Sequence, residues 1–291
     1  MNYTFKENIG EHEFDAFATT HAKATFFQQS SWTHVKAEWN SYLTGVYQNE
    51  MLVAVCLVLQ RKLPLNISLM YAPRGPILDF ENIELLNFYL QQLKQFAKKY
   101  KTMALTIDPF VARAEYPMIS AMQNELNVDY DDHMVDLFKK QDYKHTGFVL
   151  DLRDSFQPRF TPIVRLSDDK QYQKSKGYKE GLKALKRGVK VVRGGAELVD
   201  RLQALIIKTE THKKINLRDV SYFKRLVSAY KDDCLITISY IDFEESKTNT
   251  EDRLKELLKR LKTPTLTEKR REEYVRQQVI LENEIKKLEE E

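Results

Sequence analysis

The sequence predicts an α/β protein: two domains with mixed sheets, followed by an antiparallel helical arm. Three observations predict it. The chain has 291 residues, about two domains at roughly 150 residues each. Strand and helix signals alternate through it twice, with hairpins mixed in. After Phe243 the composition changes abruptly to charged residues with sparse Leu and Ile.

In order, residues 11–18 read as a short helix. Ser30 or Ser31 can cap a second helix, SSWTHVKAEW, with Trp32, Val35 and Trp39 on one face. The strands LTGVY and MLVAVCLVL follow, joined by Gln48-Asn49-Glu50. A third strand, ISLMYA, runs into Pro73-Arg74-Gly75-Pro76. Residues 83–100 form an amphipathic helix whose stripe is Leu85, Phe88, Tyr89, Leu93 and Phe96. The strand MALTI ends at Asp108-Pro109. In the second half, HTGFVLDL reads as a strand, 168–187 as a basic helical stretch, and VKVVR as a strand. Helices over 196–208 and 221–230 lead to the strand CLITISYIDF, expected to be interior and buried on both sides. In 244–291 one seam holds Leu254, Leu257 or Leu258, and Leu261. Pro264 breaks the helix. Tyr274, Leu281, Ile285 and Leu288 then recur at near-heptad spacing.

Composition excludes several classes. Apolar residues make up 42%, too many for wholesale disorder, and a net charge of +4 is compatible with an anionic ligand without being histone-like. The two cysteines, Cys56 and Cys234, each lie in an apolar run and read as buried thiols, not a disulfide framework. The start lacks an apolar signal segment, and the longest apolar stretch, 51–59, is too short to span a bilayer. The expectation is a soluble, cytoplasmic protein. The sequence carries no phosphate-binding G-x-x-x-x-G-K-[ST], no G-x-G-x-x-G and no G-x-S-x-G, and its six histidines show no metal spacing. Metal and covalent-nucleophile readings are therefore weak.

Several features could carry chemistry. Lys36 lies beside two tryptophans. In YAPRGP, Arg74 presents five fixed donors from a loop between prolines, and Gly75 permits a close approach. Asp108 ends a strand, where pockets form in α/β domains. Between Arg165 and Arg193, ten basic residues face three acidic ones, with Tyr172 and Tyr178 among them, a pattern suited to phosphates and bases. Arg218 and Tyr222 are four apart and share a face if that segment is helical.

Taken in order, FFQQSSWTHVK, YAPRGPILDF, LTIDP and the R-x-x-x-Y of NLRDVSYF, followed by a charged hairpin, resemble the Fem family of non-ribosomal peptidyltransferases (FemA, FemB, FemX and MurM type). The resemblance implies two acetyltransferase-like (GNAT-like) domains, 1–147 and an incomplete 148–243, with 244–291 as an antiparallel coiled-coil arm. It implies transfer of an amino acid from aminoacyl-tRNA, as co-substrate and without a cofactor, to the stem peptide of UDP-MurNAc-pentapeptide or lipid II. Lys36 and Arg218 match positions that bind the acceptor's diphosphate, and Tyr222 a neighbouring contact. Asp108 matches a carboxylate near the acceptor amine, as proton acceptor or orienting group; Arg74 braces its loop. Lys183, Lys186, Arg187 and Lys190 are candidate tRNA contacts. The sequence stops at KKLEEE, without the family's later strands and lysine, so CLITISYIDF, interior where those strands are present, is expected here as an open apolar edge. The expectation is that this chain alone is inactive or nearly so. Other expected partners are the inner membrane face, met peripherally, and a Fem-type subunit. Two competing readings remain: an acyl-CoA-dependent N-acyltransferase, and a non-catalytic protein pairing through its arm.

Overall fold

The structure is a computed structural model that describes residues 2–123, 128–148, 157–163 and 169–290. The elements run β1 (Tyr3–Lys6), α1 (Glu11–Thr20), α2 (Ser31–Val35), β2 (Asn40–Gln48), β3 (Met51–Leu63), β4 (Ile67–Ala72), β5 (Ile77–Leu78), α3 (Ile83–Lys99) and β6 (Thr102–Ile107). They continue with α4 (Met118–Met122), α5 (His133–Lys140), α6 (Asp169–Lys174), α7 (Lys176–Lys186), β7 (Val189–Gly194), α8 (Val199–Lys213), α9 (Val220–Tyr230), β8 (Ile236–Ile241), α10 (Phe243–Leu261) and α11 (Glu268–Glu290). Of the expected strand HTGFVLDL, His145–Phe148 carries no strand and the remainder lies outside the described residues, as does Arg165.

Two compact units result: Met1–Ile163 with Ser221–Lys231, and Val164–Val220 with Asp232–Glu291. Tyr222, Leu226, Ala229 and Tyr230 of α9 pack against the first unit's core, which draws that segment out of the second. The arm in turn shares a unit with β7 and β8.

The first unit is built on a sheet of order β1-β2-β3-β4-β6, antiparallel except for the parallel pair β4 and β6. The apolar run of β3 is explained by burial on both faces. Ala54, Cys56 and Val58 face the cluster containing α3, and Val55, Leu57 and Leu59 face the one containing α1 and α2. The stripe on α3 buries seven residues, including Leu85, Tyr89, Leu93 and Phe96. At about 1.5–3 kcal/mol for each large side chain, that burial outweighs the Asn82 cap, whose Oδ1 accepts the Leu85 N–H at 3.1 Å and contributes about 1 kcal/mol.

The second helix corrects the sequence reading. It ends at Val35, and Ser30 does not cap it. Asp15 on α1 takes both the Ser30 hydroxyl and its N–H, the latter at 2.8 Å. Both Ser30 groups act as donors, and its backbone is itself helical (φ −56, ψ −35), so the geometry in which a capping serine oxygen accepts a helix N–H is absent.

In the second unit, β7 and β8 form an antiparallel pair, Val189 opposite Ile241 through Gly194 opposite Ile236. Among the described residues β8 pairs with β7 alone, as expected of a strand without later partners, but its open face is polar, not apolar: Ile236 and Ile238 are buried, whereas Thr237 and Ser239 are exposed. Gly188 precedes β7 with φ +88, and a Cβ there would collide with Ser246 of α10. Only glycine fits both demands. The helices α10 and α11 form an antiparallel hairpin, shown by the pairs Lys247–Glu289 (2.9 Å) and Arg260–Tyr274. Leu257, not Leu258, occupies the seam, with Leu281 buried and Tyr274, Ile285 and Leu288 partly buried. Among the described residues no helix is long and apolar enough to cross a membrane.

Candidate functional site

Two local constructions stand out, both in the first unit. The first is the turn where the parallel strands β4 and β6 end side by side, with Ala72 opposite Ile107. Asp108, the residue after β6, reaches across. Its Oδ1 accepts the Arg74 N–H at 2.6 Å and its Oδ2 accepts the Tyr71 hydroxyl at 3.0 Å. Arg74 has φ +56, a left-handed conformation that a non-glycine residue holds only under outside constraint. The Asp108 bond supplies that constraint. Burial pushes the Asp108 carboxyl above the ordinary carboxylate range, against the opposing pull of the Arg74 N–H, the Tyr71 hydroxyl and the Arg74 charge. Burial, then the charge of Asp108, pushes the Tyr71 phenol up. Each carboxylate oxygen has two lone pairs, so Asp108 keeps capacity for a further donor.

Beneath this turn lies a residue that sequence reasoning missed. Val55 of β3 pairs with Ile77 of β5, and Leu59 with Tyr71 of β4, which leaves Leu57 between them facing the gap where the chain loops out over 73–76. The fully buried Gln28 fills the gap. Its Oε1 accepts the Leu57 N–H (2.8 Å), while Nε2 donates to Leu57 O (3.2 Å) and Pro73 O (2.8 Å). The side-chain amide stands in for the missing peptide of a neighbouring strand. The close approach that Gly75 permits is to this amide, because a Cβ there would lie 2.7 Å from it. The sequence shows only two amides between FF and SS, with nothing to single out Gln28 from Gln29.

The second construction joins α2 to α9. Lys36 takes the C-terminal cap of α2, its N–H donating to Trp32 O at 3.0 Å. Its ammonium lies 5.7 Å from the Trp32 ring and 5.8 Å from the Tyr222 ring, within cation–π range. Two residues far apart in sequence thus meet. The docking of α9 is fixed by Arg225 Nε donating to Val35 O (3.2 Å), a cation at a helix C-terminus, and by the Tyr230 hydroxyl donating to Phe26 O (2.6 Å). The same helices line a groove of about 640 Å³ with Ser31, His34, Lys224 and Arg225, to which Lys36 and Tyr222 do not contribute.

The remaining candidates belong to the second unit. Arg218 is exposed there. Lys183, Lys186 and Arg187 are exposed at the end of α7, with Lys183 paired to Glu180 at 2.8 Å. Lys190 is placed differently: it pairs with Asp242 (3.2 Å) and with Glu245, tying β7 to the start of α10. Among the described residues no group of three His, Cys, Asp or Glu is arranged to hold a metal.

The model of the FemAB family matches residues 9–291. The chain belongs to the FemAB family. This FemAB chain is 30% identical over 237 residues to a lipid II:glycine glycyltransferase of Staphylococcus epidermidis, covering 78% of the chain and 53% of the relative. It is 27% identical over 247 residues to the aminoacyltransferase FemA of Staphylococcus aureus, covering 82% and 58%. The FemAB chain therefore spans about half the length of the curated relatives it matches. A crystal structure of FemX superposes with a TM-score of 0.70 at 26% identity, over 100% of this chain and 71% of that one.

Proposed function

We propose that this FemAB chain serves as an aminoacyltransferase of peptidoglycan cross-bridge formation. The donor is aminoacyl-tRNA and the acceptor is the stem peptide of UDP-MurNAc-pentapeptide or lipid II. The carrying observation is the meeting of Lys36 with Tyr222 in a chain that matches the family over 9–291. The name of the Staphylococcus epidermidis relative supports a lipid II acceptor. In this reading the two units are acetyltransferase-like, and the helical hairpin is a coiled-coil arm.

The reaction is aminolysis of an ester. The acceptor nitrogen attacks the ester carbonyl, a C–N bond forms, the C–O bond breaks, and the RNA hydroxyl leaves with a proton. The amine must first be neutral. Asp108 takes or orients that proton, a role helped by its raised pKa. Lys36 supplies charge for the acceptor's diphosphate, and Tyr222 positions Lys36. Arg218 is assigned to the same ligand by resemblance, and Arg74 holds the turn through its backbone. Lys183, Lys186 and Arg187 remain candidate tRNA contacts. Lys190, held by the two carboxylates of Asp242 and Glu245, is the weakest of that set.

The acyl-CoA alternative is disfavoured at Arg193-Gly194-Gly195, its nearest phosphate loop. There the Glu197 carboxylate accepts the Gly195 N–H at 3.0 Å, occupying a donor that a pyrophosphate needs. For a Fem-type partner, the exposed Val275, Val279 and Ile280 of α11 are available, whereas Leu281 is not. The test is transfer to purified precursor, read by mass. Product that depends on charged tRNA supports the reading, and product formed from acyl-CoA instead overturns it.

A further inference from the structure

A continuous strip of rings and guanidinium groups starts at the Asp108 turn. Phe110, two residues on, lies 5.4 Å from the Arg74 guanidinium carbon. Arg74 Nη2 donates to Pro158 O at 3.0 Å. The next residue, Arg159, covers Phe160 at 4.9 Å and Phe148 at 5.1 Å. Arg113 covers the Phe148 ring at 4.1 Å and the Tyr130 ring at 4.3 Å. All of these residues belong to the first unit. The four rings are well exposed: Phe110 39%, Tyr130 42%, Phe148 40% and Phe160 55%. Single exposed apolar residues need no explanation, but a connected row of aromatics interleaved with arginines does.

Charge along the strip is graded. Asp132 holds Arg113 with two bonds, 2.6 and 2.8 Å, which neutralises it and fixes it against Phe148. Among the described residues the Arg74 and Arg159 guanidinium groups donate to main-chain carbonyls, Pro158 O and Phe148 O, and neither is in an ion pair. The cationic end therefore adjoins Asp108 and the neutral end lies farther out. Exposed rings stack on unpaired bases, and arginines between them meet the phosphates of the same strand. A duplex offers phosphates but hides its base faces.

We propose that this strip receives the single-stranded 3′ end of the RNA that carries the donor ester, directing the ester toward Asp108. The inference rests on the aminoacyl-tRNA reading above. Phe110, Phe148 and Phe160 stack the bases, and Arg74 and Arg159 hold the backbone.

The test is fluorescence anisotropy with a labelled short single-stranded RNA and a blunt RNA duplex of the same length. UDP-MurNAc-pentapeptide binding is measured in parallel by calorimetry. The expected result is preference for the single strand, and an affinity loss of about 5- to 150-fold in Phe148→Ala and in Phe160→Ala. Arg159→Gln lowers the slope of log affinity against log salt by about 0.7, and Arg159→Lys does not. Melting temperatures equal to wild type show that the variants fold. Unchanged affinity in the folded variants, or preference for the duplex, overturns the strip. Precursor binding without any RNA binding overturns the strip but leaves the acceptor half of the functional reading. Binding of neither ligand overturns both.

Discussion

Replacing Gln28 with Ala tests how the Asp108 turn is held. The substitution strands the buried Leu57 N–H and Pro73 O and leaves Leu57 O with only the weak Cys56 thiol donor. An orphaned buried polar group costs about 1–3 kcal/mol, and water entering the new space recovers part of it. The expected loss is about 3–5 kcal/mol, a large share of the roughly 5–15 kcal/mol that keeps a domain folded. Gly75 provides an internal check. Gly75→Ala alone drives a methyl to 2.7 Å from the Gln28 amide. With Gln28 already truncated, that methyl enters vacated space, so the double variant loses less than the sum of the singles. Gln28→Glu keeps an acceptor for Leu57 N–H but, once ionised, no donor for Pro73 O. Burial raises the pKa of the new carboxyl, so its stability falls as pH rises through that raised value. The assay is urea unfolding followed by far-ultraviolet circular dichroism. A Gln28→Ala loss below about 1 kcal/mol, judged against the same orphan costs, would refute the reasoning, as would strict additivity with Gly75→Ala.

Asp108→Ala leaves Arg74 N–H without its acceptor and loses about 1–3 kcal/mol, whereas Asp108→Asn keeps that acceptor and stays within about 1 kcal/mol of wild type by the same measure. Because the folded Asp108 pKa is raised, wild type loses stability relative to Asp108→Asn as pH rises from the ordinary carboxylate value through the raised one, and the difference is constant above it. Paired urea curves across acidic pH check this. A transfer rate lost in Asp108→Asn assigns a proton-accepting role, and a rate kept in Asn but lost in Ala assigns an orienting one. Gly188→Ala is expected to lose at least about 1–2 kcal/mol, from its left-handed backbone and the collision with Ser246, measured by thermal melting. In the arm, Leu281→Lys opens the α10–α11 hairpin and Val279→Lys does not, because Leu281 is buried and Val279 is 52% exposed; limited proteolysis distinguishes them.

The framework was legible where burial is periodic. The α3 stripe and the two-faced run of β3 need no distant information, and Pro264 marks the hairpin turn unaided. Legibility failed wherever a distant partner decided the outcome. Ser30 carries every local signal of a cap, but its backbone is helical and its hydroxyl and N–H both donate to Asp15 of α1. The sequence reading of CLITISYIDF counted its apolar residues but missed that Thr237 and Ser239 alternate with them on an open face. Residues 221–230 read correctly as a helix, yet their docking against α2 depends on Arg225 finding Val35 O. Among the proposed site residues, residue type and local sequence alone single out Asp108, Arg74 and Lys36. Gln28 escaped because an amide that mimics a strand has no sequence periodicity.

The proposed function rests most directly on Lys36 as the charge that meets the acceptor's diphosphate. Calorimetric titration of the chain and of Lys36→Ala with UDP-MurNAc-pentapeptide measures it. A charge-assisted contact of about 1.5–3 kcal/mol predicts that the substitution weakens binding about 10- to 150-fold, with weaker salt dependence. Equal affinity in the two proteins, or no binding by either, would contradict it.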